Sequence, residues 1–380
     1  MNLPSSEPTN PSSRNPTSAR LCRLDVRDLR NIASVHLEFS PTINVLCGAN
    51  GQGKTSLLEA IYLVATSRSF RTHKLSELIR HGTKGGSSRG WFSDVLGERE
   101  QFVGLAPSAR QVRVDGNKPE SMAQYAVRTP VVVFHPGELA LTMGSATGRR
   151  TLLDRAALFF DPRSHAEHAA YQQAMKERMK HLQVDTPDVR VLDVYEQLAA
   201  RHGAALTRHR QDAAMRLTRA TQEAFGRVAP DSLHLGMRYE SAGSSDEDEA
   251  RKQLCERRSQ DARRRAASFG PHRDDLLLEL NGSPVRTTAS QGQHRLLTLS
   301  LKIAEMVCVG EAAGLCPILL LDDVSSELDA ERTDAFFRLL GHRKDQVFLT
   351  TTRPDMVGVF ERAMGEAKVF SVEAGSFVNV

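Results

Sequence analysis

Hydrophobic positions along the chain follow two different periods. Residues 21–47 alternate apolar and polar side chains, which is typical of strands. Residues 90–134 are again β-rich and contain a hairpin that turns at Asp115 and Gly116. Residues 131–134 are apolar throughout, as in a buried strand. From 149 to 227 the spacing becomes helical. The pattern therefore predicts an α/β fold in which helices interrupt a sheet.

The helical stretch has the character of a compact lobe. No run keeps a heptad of apolar positions for long, so a long coiled-coil arm is not expected. The polar, acidic segment 241–250 predicts an exposed loop, and a second hairpin begins at 276, where sheet structure resumes. The predicted helices cover residues 149–159, 164–183 and 191–226.

Composition narrows the classes of protein that fit. The chain has 380 residues, of which 40% are hydrophobic, enough for a core, and its net charge of +4 permits nucleic-acid binding without arguing for it. No apolar run is long enough to span a membrane. Residues 1–20, rich in Ser, Pro, Asn and Thr, predict a disordered extension and no secretion signal. The five cysteines lack metal-ligand spacing, and Cys47, Cys308 and Cys316 lie in apolar segments, so reduced thiols in a cytoplasmic protein are expected.

A phosphate-binding loop is the clearest chemical motif. It follows an apolar strand at 42–47 and precedes a helical pattern at 55–64, as such a loop requires. Glycines let backbone N–H groups surround phosphate oxygens, Lys54 should reach the β- and γ-phosphates of ATP, and Thr55 should bind Mg²⁺. The alternative is a glycine-rich turn that arose by chance. The motif consists of Gly48, Ala49, Asn50, Gly51, Gln52, Gly53, Lys54 and Thr55.

A second motif is an apolar run, residues 317–321, that ends at two acids. Ligands of α/β sheets bind at the carboxyl ends of parallel strands, so these acids are expected at the nucleotide. Asp322 is predicted to hold Mg²⁺, and Asp323 to orient the attacking water. With Lys54 they form the predicted catalytic set. The alternative is that both acids merely end a strand.

A third motif precedes a strong helical pattern at 296–309. Ser290 is placed to cap that helix, and Gly292 and Gln293 follow at its start. A hydroxyl, a glycine backbone and a helix N-terminus together can bind an anion. One chain need not use both this anion site and the phosphate-binding loop on the same phosphate. These residues are therefore interpreted as binding the γ-phosphate of ATP held by a second subunit. The alternative is an ordinary helix cap.

The order of these motifs resembles that of the ABC-type ATPase heads of the SMC and recombination-repair class, and within it the RecF family. The resemblance covers about residues 21–365 and implies a head with a mixed sheet, split by an inserted helical lobe. The predicted division of the chain is a disordered extension at 1–20, the first part of the head with Walker A at 21–148, a mainly helical lobe at 149–265, and the second part of the head with the signature motif and Walker B at 266–380. The segments that carry it are 29–32, 48–60, 69–71, 133–136, 149–154, 270–275 and 321–329.

The resemblance also implies a function. RecF-like proteins are ATP-gated dimers in DNA replication, recombinational gap repair and the SOS response; they bind single-stranded DNA and gapped or duplex junctions and help to load recombinase. RecR, and less firmly RecO, are the implied partners. Asp323 stands where most ABC heads have Glu, and Thr350 to Thr352 stand where most have His, so a weak, DNA-dependent ATPase is expected. A glycine inserted after Pro136 leaves the role of Glu138 open.

DNA contacts and competing functions are less clear from the sequence. Arg201, Arg208 and Arg219 share one face of a predicted helix and could contact phosphates, although Arg208, Asp212 and Arg216 also form an ordinary i,i+4 ladder on a solvated face. Aromatic residues make up only 6% of the chain, which predicts no stacking platform for single strands. The ATPase subunit of a membrane transporter is the main alternative, against which the inserted lobe and the missing His argue. The ATPase half of a nuclease would need a second acidic site, which is absent from the sequence.

Overall fold

The computed structural model describes residues 17–323 and 345–380. Its central sheet is parallel except for one antiparallel edge strand, and the predicted strands at 42–47, 131–134 and 317–321 are confirmed as members of it. These strands are covered on both faces, which explains their continuous apolar character. Across the sheet the strands are β16 (Ser376–Asn379), β15 (Ala367–Glu373), β4 (Ile43–Cys47), β14 (Val347–Thr351), β13 (Ile318–Leu321) and β8 (Val131–Phe134).

A second, antiparallel sheet packs one face on helix α1 (Lys54–Thr66) through a shared hydrophobic core. Its other face is open and carries Trp91 and Phe102, over which the guanidinium groups of Arg23 and Arg89 lie at 3.5 and 5.3 Å from the ring centres. Because arginine side chains lie over both rings, the expected lack of a stacking platform for single strands stays a prediction. Its strands, in order, are β3 (Ile32–Glu38), β2 (Arg20–Leu29), β5 (Gly86–Asp94), β6 (Gly97–Ala106) and β7 (Ala109–Val114).

The predicted helical lobe is present. Its three predicted helices correspond to α4 (Ala146–Phe160), α5 (Arg163–Leu182) and α6 (Val189–Val228), and the 40-residue α6 packs along α5 as a compact lobe requires. Inside it Arg178 pairs with Glu196 at 3.0 Å and Asp261 at 2.8 Å, all with fully buried side chains. Short helices complete the lobe and its surroundings: α2 (Met122–Arg128), α3 (Ala140–Met143), α7 (Glu247–Glu256) and α8 (Arg258–Arg264).

A small sheet connects the lobe to the second part of the head. In it β9 (Leu235–Glu240) pairs with β10 (Asp275–Leu280), which pairs with β11 (Ser283–Pro284), so hydrogen bonds cross the predicted boundary between 265 and 266. The division into domains stays a prediction. The chain continues through α9 (Val285–Thr288), α10 (Gln291–Ala313) and β12 (Leu315–Cys316), and later α11 (Val357–Met364).

Two local predictions are wrong. The acidic segment 241–250 is not a loop throughout, because α7 begins at Glu247, Asp246 caps it by accepting a bond from the Glu249 amide, and acids in a first turn favour the helix dipole. The predicted disorder does not reach residues 17–20: β1 (Thr17–Ser18) pairs with β12, and Arg20 begins β2. Residues 1–16, and 324–329 of the RecF-like segments, lie outside the described part.

Cysteines and membrane segments were also predicted. Cys308 and Cys316 are buried free thiols, as expected, whereas Cys47 is only partly buried. No helix in the described part of the chain combines the length and the apolar character that a membrane span requires.

Candidate nucleotide site

The phosphate-binding loop joins β4 to α1 at the carboxyl edge of the central sheet. Gly51 and Gly53 have φ angles of 79° and 118°, which favour glycine, and a Cβ on Gly53 would lie 2.9 Å from Nδ2 of Asn31. The loop therefore depends on these glycines for its shape and for the close approach of the 29–32 segment. The first turn of α1 follows directly, so its free N–H groups face the same side.

Two neighbouring segments hold the loop. Nδ2 of Asn31 donates to the carbonyl oxygen of Gly51 at 3.5 Å. On the other side, Gln52 accepts from two backbone amides in the turn between β15 and β16: its side chain from Ala374 at 2.7 Å and its carbonyl from Gly375 at 2.8 Å. The side chain of Gln52 is thus engaged in bracing the loop, and only its backbone remains for a phosphate.

Lys54 lies folded over the loop. Its Nζ donates to the carbonyl oxygens of Gly48 at 2.6 Å and Ala49 at 2.8 Å. Burial lowers the pKa of Lys54, and the carboxylates of Asp323 and Asp322 oppose that shift. Lys54 is therefore a largely buried residue whose ammonium group is held by the loop, with the charges of the two predicted acids nearby.

Asp322 and Asp323, at the end of β13, are connected to the phosphate-binding segment and to β14 by hydrogen bonds of threonine hydroxyl groups. Oγ1 of Thr55 donates to the two carboxylate oxygens of Asp322 at 2.9 and 3.0 Å. Oγ1 of Thr350, at the end of β14, donates to Asp322 at 2.9 Å and accepts from the Asp323 amide at 2.8 Å. A hydroxyl and a carboxylate at this separation are oxygen ligands of the kind Mg²⁺ prefers, so Thr55 and Asp322 fit that ion.

These groups surround a cavity of about 570 Å³. It brings together seven residues of the predicted set, while Gly48, Ala49 and Gln52 shape the loop without lining the cavity. Sequence reasoning gave no nucleotide-binding role to the other lining residues, although the RecF-like segments 29–32, 48–60, 69–71 and 133–136 contain all of them except Thr350. The cavity is lined by Arg30, Asn31, Asn50, Gly51, Gly53, Lys54, Thr55, Ser56, Arg71, Pro136, Asp322, Asp323 and Thr350.

The third motif lies elsewhere. Ser290 caps α10: its Oγ accepts from the Gln293 amide at 3.3 Å, and Oε1 of Gln293 accepts from the Ser290 amide at 2.8 Å. The predicted helix cap is thus confirmed. Neither Ser290, Gly292 nor Gln293 lines the nucleotide cavity of the same chain, and Ser290 is exposed.

Two arginines in the cavity share one buried acid. Nε and Nη2 of Arg30 donate to Glu59 at 2.8 and 2.9 Å, and Nη1 of Arg71 lies 3.8 Å from the same carboxylate. Glu59 is 1% exposed. This carboxylate in α1 therefore fixes two cationic side chains beside the phosphate loop.

Glu138, whose role the sequence left open, belongs to a buried charge cluster. It lies 3.2 Å from Nζ of Lys302, which also pairs with Glu305, and Arg155 pairs with Glu305 at 2.9 Å. Burial raises the pKa of Glu138, but Lys302 and Arg155 outweigh it and the pKa lies below its usual value. Glu138 thus links the segment after β8 to α10.

The arginine face of α6 is partly as predicted. Arg201, Arg208 and Arg219 are exposed. The alternative ladder does not form as expected, since Arg208 donates to the Ser245 carbonyl and the guanidinium of Arg216 lies 4.5 Å from the Phe160 ring centre. These arginines remain candidate phosphate contacts.

Comparisons with known proteins agree with this arrangement. The family model described as "RecF/RecN/SMC N terminal domain" matches residues 20–375. A protein of Anaeromyxobacter sp. (strain Fw109-5) named DNA replication and repair protein RecF is 38% identical over 369 residues, 95% of this chain and 99% of the relative. One of the same name from Myxococcus xanthus (strain DK1622) is 37% identical over 349 residues, 89% of this chain and 92% of the relative.

Solved structures show the same fold. The recombination mediator protein RecF with ATP, from the RecFOR pathway, superposes with a TM-score of 0.86 at 27% identity, covering 98% of this chain and 100% of that one. An Smc head bound to the C-winged helix domain of ScpA gives a TM-score of 0.55 at 14% identity over 95% of this chain and 96% of that one, a likeness of fold alone. The α/β head with a mixed sheet, split by helices, is thereby confirmed, and the chain belongs to the RecF/RecN/SMC N-terminal domain family, within it to RecF.

Proposed function

We propose that this chain is an ATP-dependent DNA-binding protein of DNA replication and repair. The observation that carries the proposal is the bond from Thr55 to Asp322, because it joins the phosphate loop to the acidic strand end at the edge where an α/β sheet binds its ligand. Relatives named for DNA replication and repair, and a RecF structure with ATP, support it. The transporter alternative has no support among these relatives.

ATP binding follows from the positions of the loop groups. Backbone N–H groups of Gly51, Gly53 and the first turn of α1 donate to phosphate oxygens, and Lys54 exchanges its two carbonyl partners for the β- and γ-phosphates. Thr55 and Asp322 would hold Mg²⁺, which would supply neutralising charge at those phosphates. Asp323, half-buried beside Thr350, orients the attacking water, and its short side chain makes hydrolysis weak and slow.

Dimer closure uses the third motif. Ser290, Gly292 and Gln293 contact the γ-phosphate bound by a second copy, so ATP joins two heads. The exposure of Ser290 and the place of all three residues outside the cavity of their own chain favour an action in trans. Hydrolysis then releases the dimer.

DNA is the ligand of the closed dimer. The preferred forms are single-stranded DNA and gapped or duplex junctions, in the cytoplasm, during recombinational gap repair and the SOS response. RecR, and less firmly RecO, are the proposed partners in recombinase loading, in line with the RecFOR pathway to which the similar solved structure belongs.

Sizing the protein with ADP, with ATP, and with ATP plus gapped DNA tests this function. A monomer with ADP and a dimer with ATP that binds DNA are expected. DNA binding that ignores the nucleotide, or an ATP complex that stays monomeric, contradicts the proposal. Binding to gapped DNA only with ATP also separates it from a transporter subunit.

A further inference from the structure

A second cavity, of about 590 Å³, lies behind the wall of the nucleotide cavity. The segments 70–72 and 135–136 form that wall, and successive residues in them line one cavity or the other. Arg71 and Pro136 line the nucleotide cavity, whereas their neighbours Phe70, Thr72 and His135 line the second one. The two cavities share no lining residue.

The second cavity has positive charge that its lining carboxylates do not neutralise. Of the charged groups that line it, Arg155 and Glu138 are neutralised by Glu305 and Lys302 in the buried cluster. Arg68 and Arg110 also line it, and neither forms an ion pair with a carboxylate of residues 17–323 or 345–380. Burial lowers the pKa of Arg110, and the charge of Arg68 lowers it further. Two neighbouring arginines therefore leave this cavity with a net positive charge.

Hydrogen-bond donors complete the lining. Ser67 is 1% exposed, and its buried Oγ has no hydrogen-bond partner among the described residues. The first turn of the 15-residue α4 contributes Thr147 and Gly148, and the side chain of its N-cap, Ser145, makes no capping bond. A buried donor without a partner costs free energy unless a ligand satisfies it, and free N–H groups at a helix start favour an anion.

We propose that this second cavity binds a phosphate-bearing ligand, either a free polyphosphate chain or the phosphorylated end of a nucleic-acid strand. Arg68 and Arg110 pair with phosphate oxygens, Ser67 donates to one of them, and the α4 amides approach the far end. Arginine suits this use because its planar fork matches the geometry of phosphate. The site lies outside the ATP cavity and does not require the proposed ATP chemistry.

The test uses the full chain carrying Lys54→Met, which removes the main phosphate contact of the nucleotide loop. Calorimetry with sodium tripolyphosphate at low ionic strength measures binding at the second cavity. We expect binding that Arg68→Gln weakens by about tenfold, the effect of one lost charge-assisted bond. Arg113→Gln is the matched control, because Arg113 is an exposed arginine on β7 that does not line this cavity. Arg68→Glu should abolish binding.

No heat of binding to the Lys54→Met protein, or equal losses from Arg68→Gln and Arg113→Gln, would overturn the proposal. Competition distinguishes the two ligand sources. If a short single strand with a 5′-phosphate displaces tripolyphosphate while the same strand with a 5′-hydroxyl does not, the ligand is a nucleic-acid end. If neither strand competes, the ligand is a free polyphosphate.

Discussion

Thr350→Val should slow ATP hydrolysis without changing ATP affinity. The Thr350 hydroxyl is 1% exposed and bridges the two acids: it donates to Asp322 at 2.9 Å and accepts from the Asp323 amide at 2.8 Å. Valine keeps the shape and the strand preference of threonine but supplies neither bond. Asp322 loses one of its donors, and the backbone of Asp323, at a φ of 52°, loses the bond that holds it in a conformation uncommon for a residue with a side chain.

The size of the effect follows from these bonds. A hydrogen bond to a charged group is worth about 1.5–3 kcal/mol, which corresponds to roughly ten- to a hundredfold in rate if all of it acts in the transition state. Thr55 still donates to both oxygens of Asp322, so part of the orientation survives. We therefore expect the lower end, a decrease in kcat of about tenfold. ATP affinity should stay within about twofold, because Lys54 and the glycine loop are untouched.

Single-turnover hydrolysis with gapped DNA, together with titration of a fluorescent ATP analogue, measures both quantities. Thr351→Val is the matched control: Thr351 is equally buried in the same strand, but within residues 17–323 and 345–380 its hydroxyl bonds only the backbone of Arg353, at 3.0 and 3.3 Å. Both variants should lose about 1 kcal/mol of stability. Hydrolysis by Thr350→Val at the wild-type rate, or an equal decrease in Thr351→Val, would refute the reasoning.

Four further changes test other parts of the molecule. Lys54→Met should abolish ATP binding and all ATP-dependent DNA binding; unchanged nucleotide affinity would contradict the phosphate-loop assignment. Asp323→Asn should bind ATP and dimerise but hardly hydrolyse, and native turnover would remove that acid from the mechanism. Ser290→Arg should bind ATP as a monomer yet neither dimerise nor hydrolyse, and regain partial activity when mixed with the Lys54→Met protein; a large loss of ATP affinity in the monomer would mean that Ser290 serves its own chain. Arg178→Met should lower the free energy of unfolding by about 3–5 kcal/mol, measured by urea denaturation, because the buried carboxylate of Asp261 loses the arginine it pairs with, although Glu196 still pairs with Arg258; a loss below about 1 kcal/mol would contradict the importance of those pairs.

The sequence predicted the elements that local patterns determine. An apolar run that leads into a glycine loop and a helix located Lys54 and Thr55, and a second run located Asp322. Both runs are strands buried on two faces, so their ends could only lie at the ligand-binding edge of a parallel sheet. Helical periodicity also predicted α4, α5 and α6, because each of these helices buries one face and leaves the other exposed.

Contacts between segments that are distant in sequence could not be predicted from local sequence patterns. Nothing near Thr350 indicates that its hydroxyl joins the two acids, because that depends on the register of β14 against β13. The contacts of Arg23 with the Trp91 ring and of Arg89 with the Phe102 ring were missed because alternation shows that a strand has two faces, not which side chains of neighbouring strands meet on one face. The acidic run before α7 suggested a loop by composition, although acids at a helix start are also a stabilising feature.

The braces on the phosphate loop have a consequence for biosynthesis. Gln52 is held by the turn at Ala374 and Gly375, more than three hundred positions later in the chain. A ribosome therefore completes the loop sequence long before it makes the residues that brace it, and contacts of such long range form late in folding. During that interval the loop lacks the brace at Gln52 and has the contact from Asn31 alone of the two neighbouring segments. The ability to bind ATP should consequently appear abruptly, only once Gly375 has emerged from the ribosome. Nascent chains arrested before that turn should not be retained on ATP-agarose.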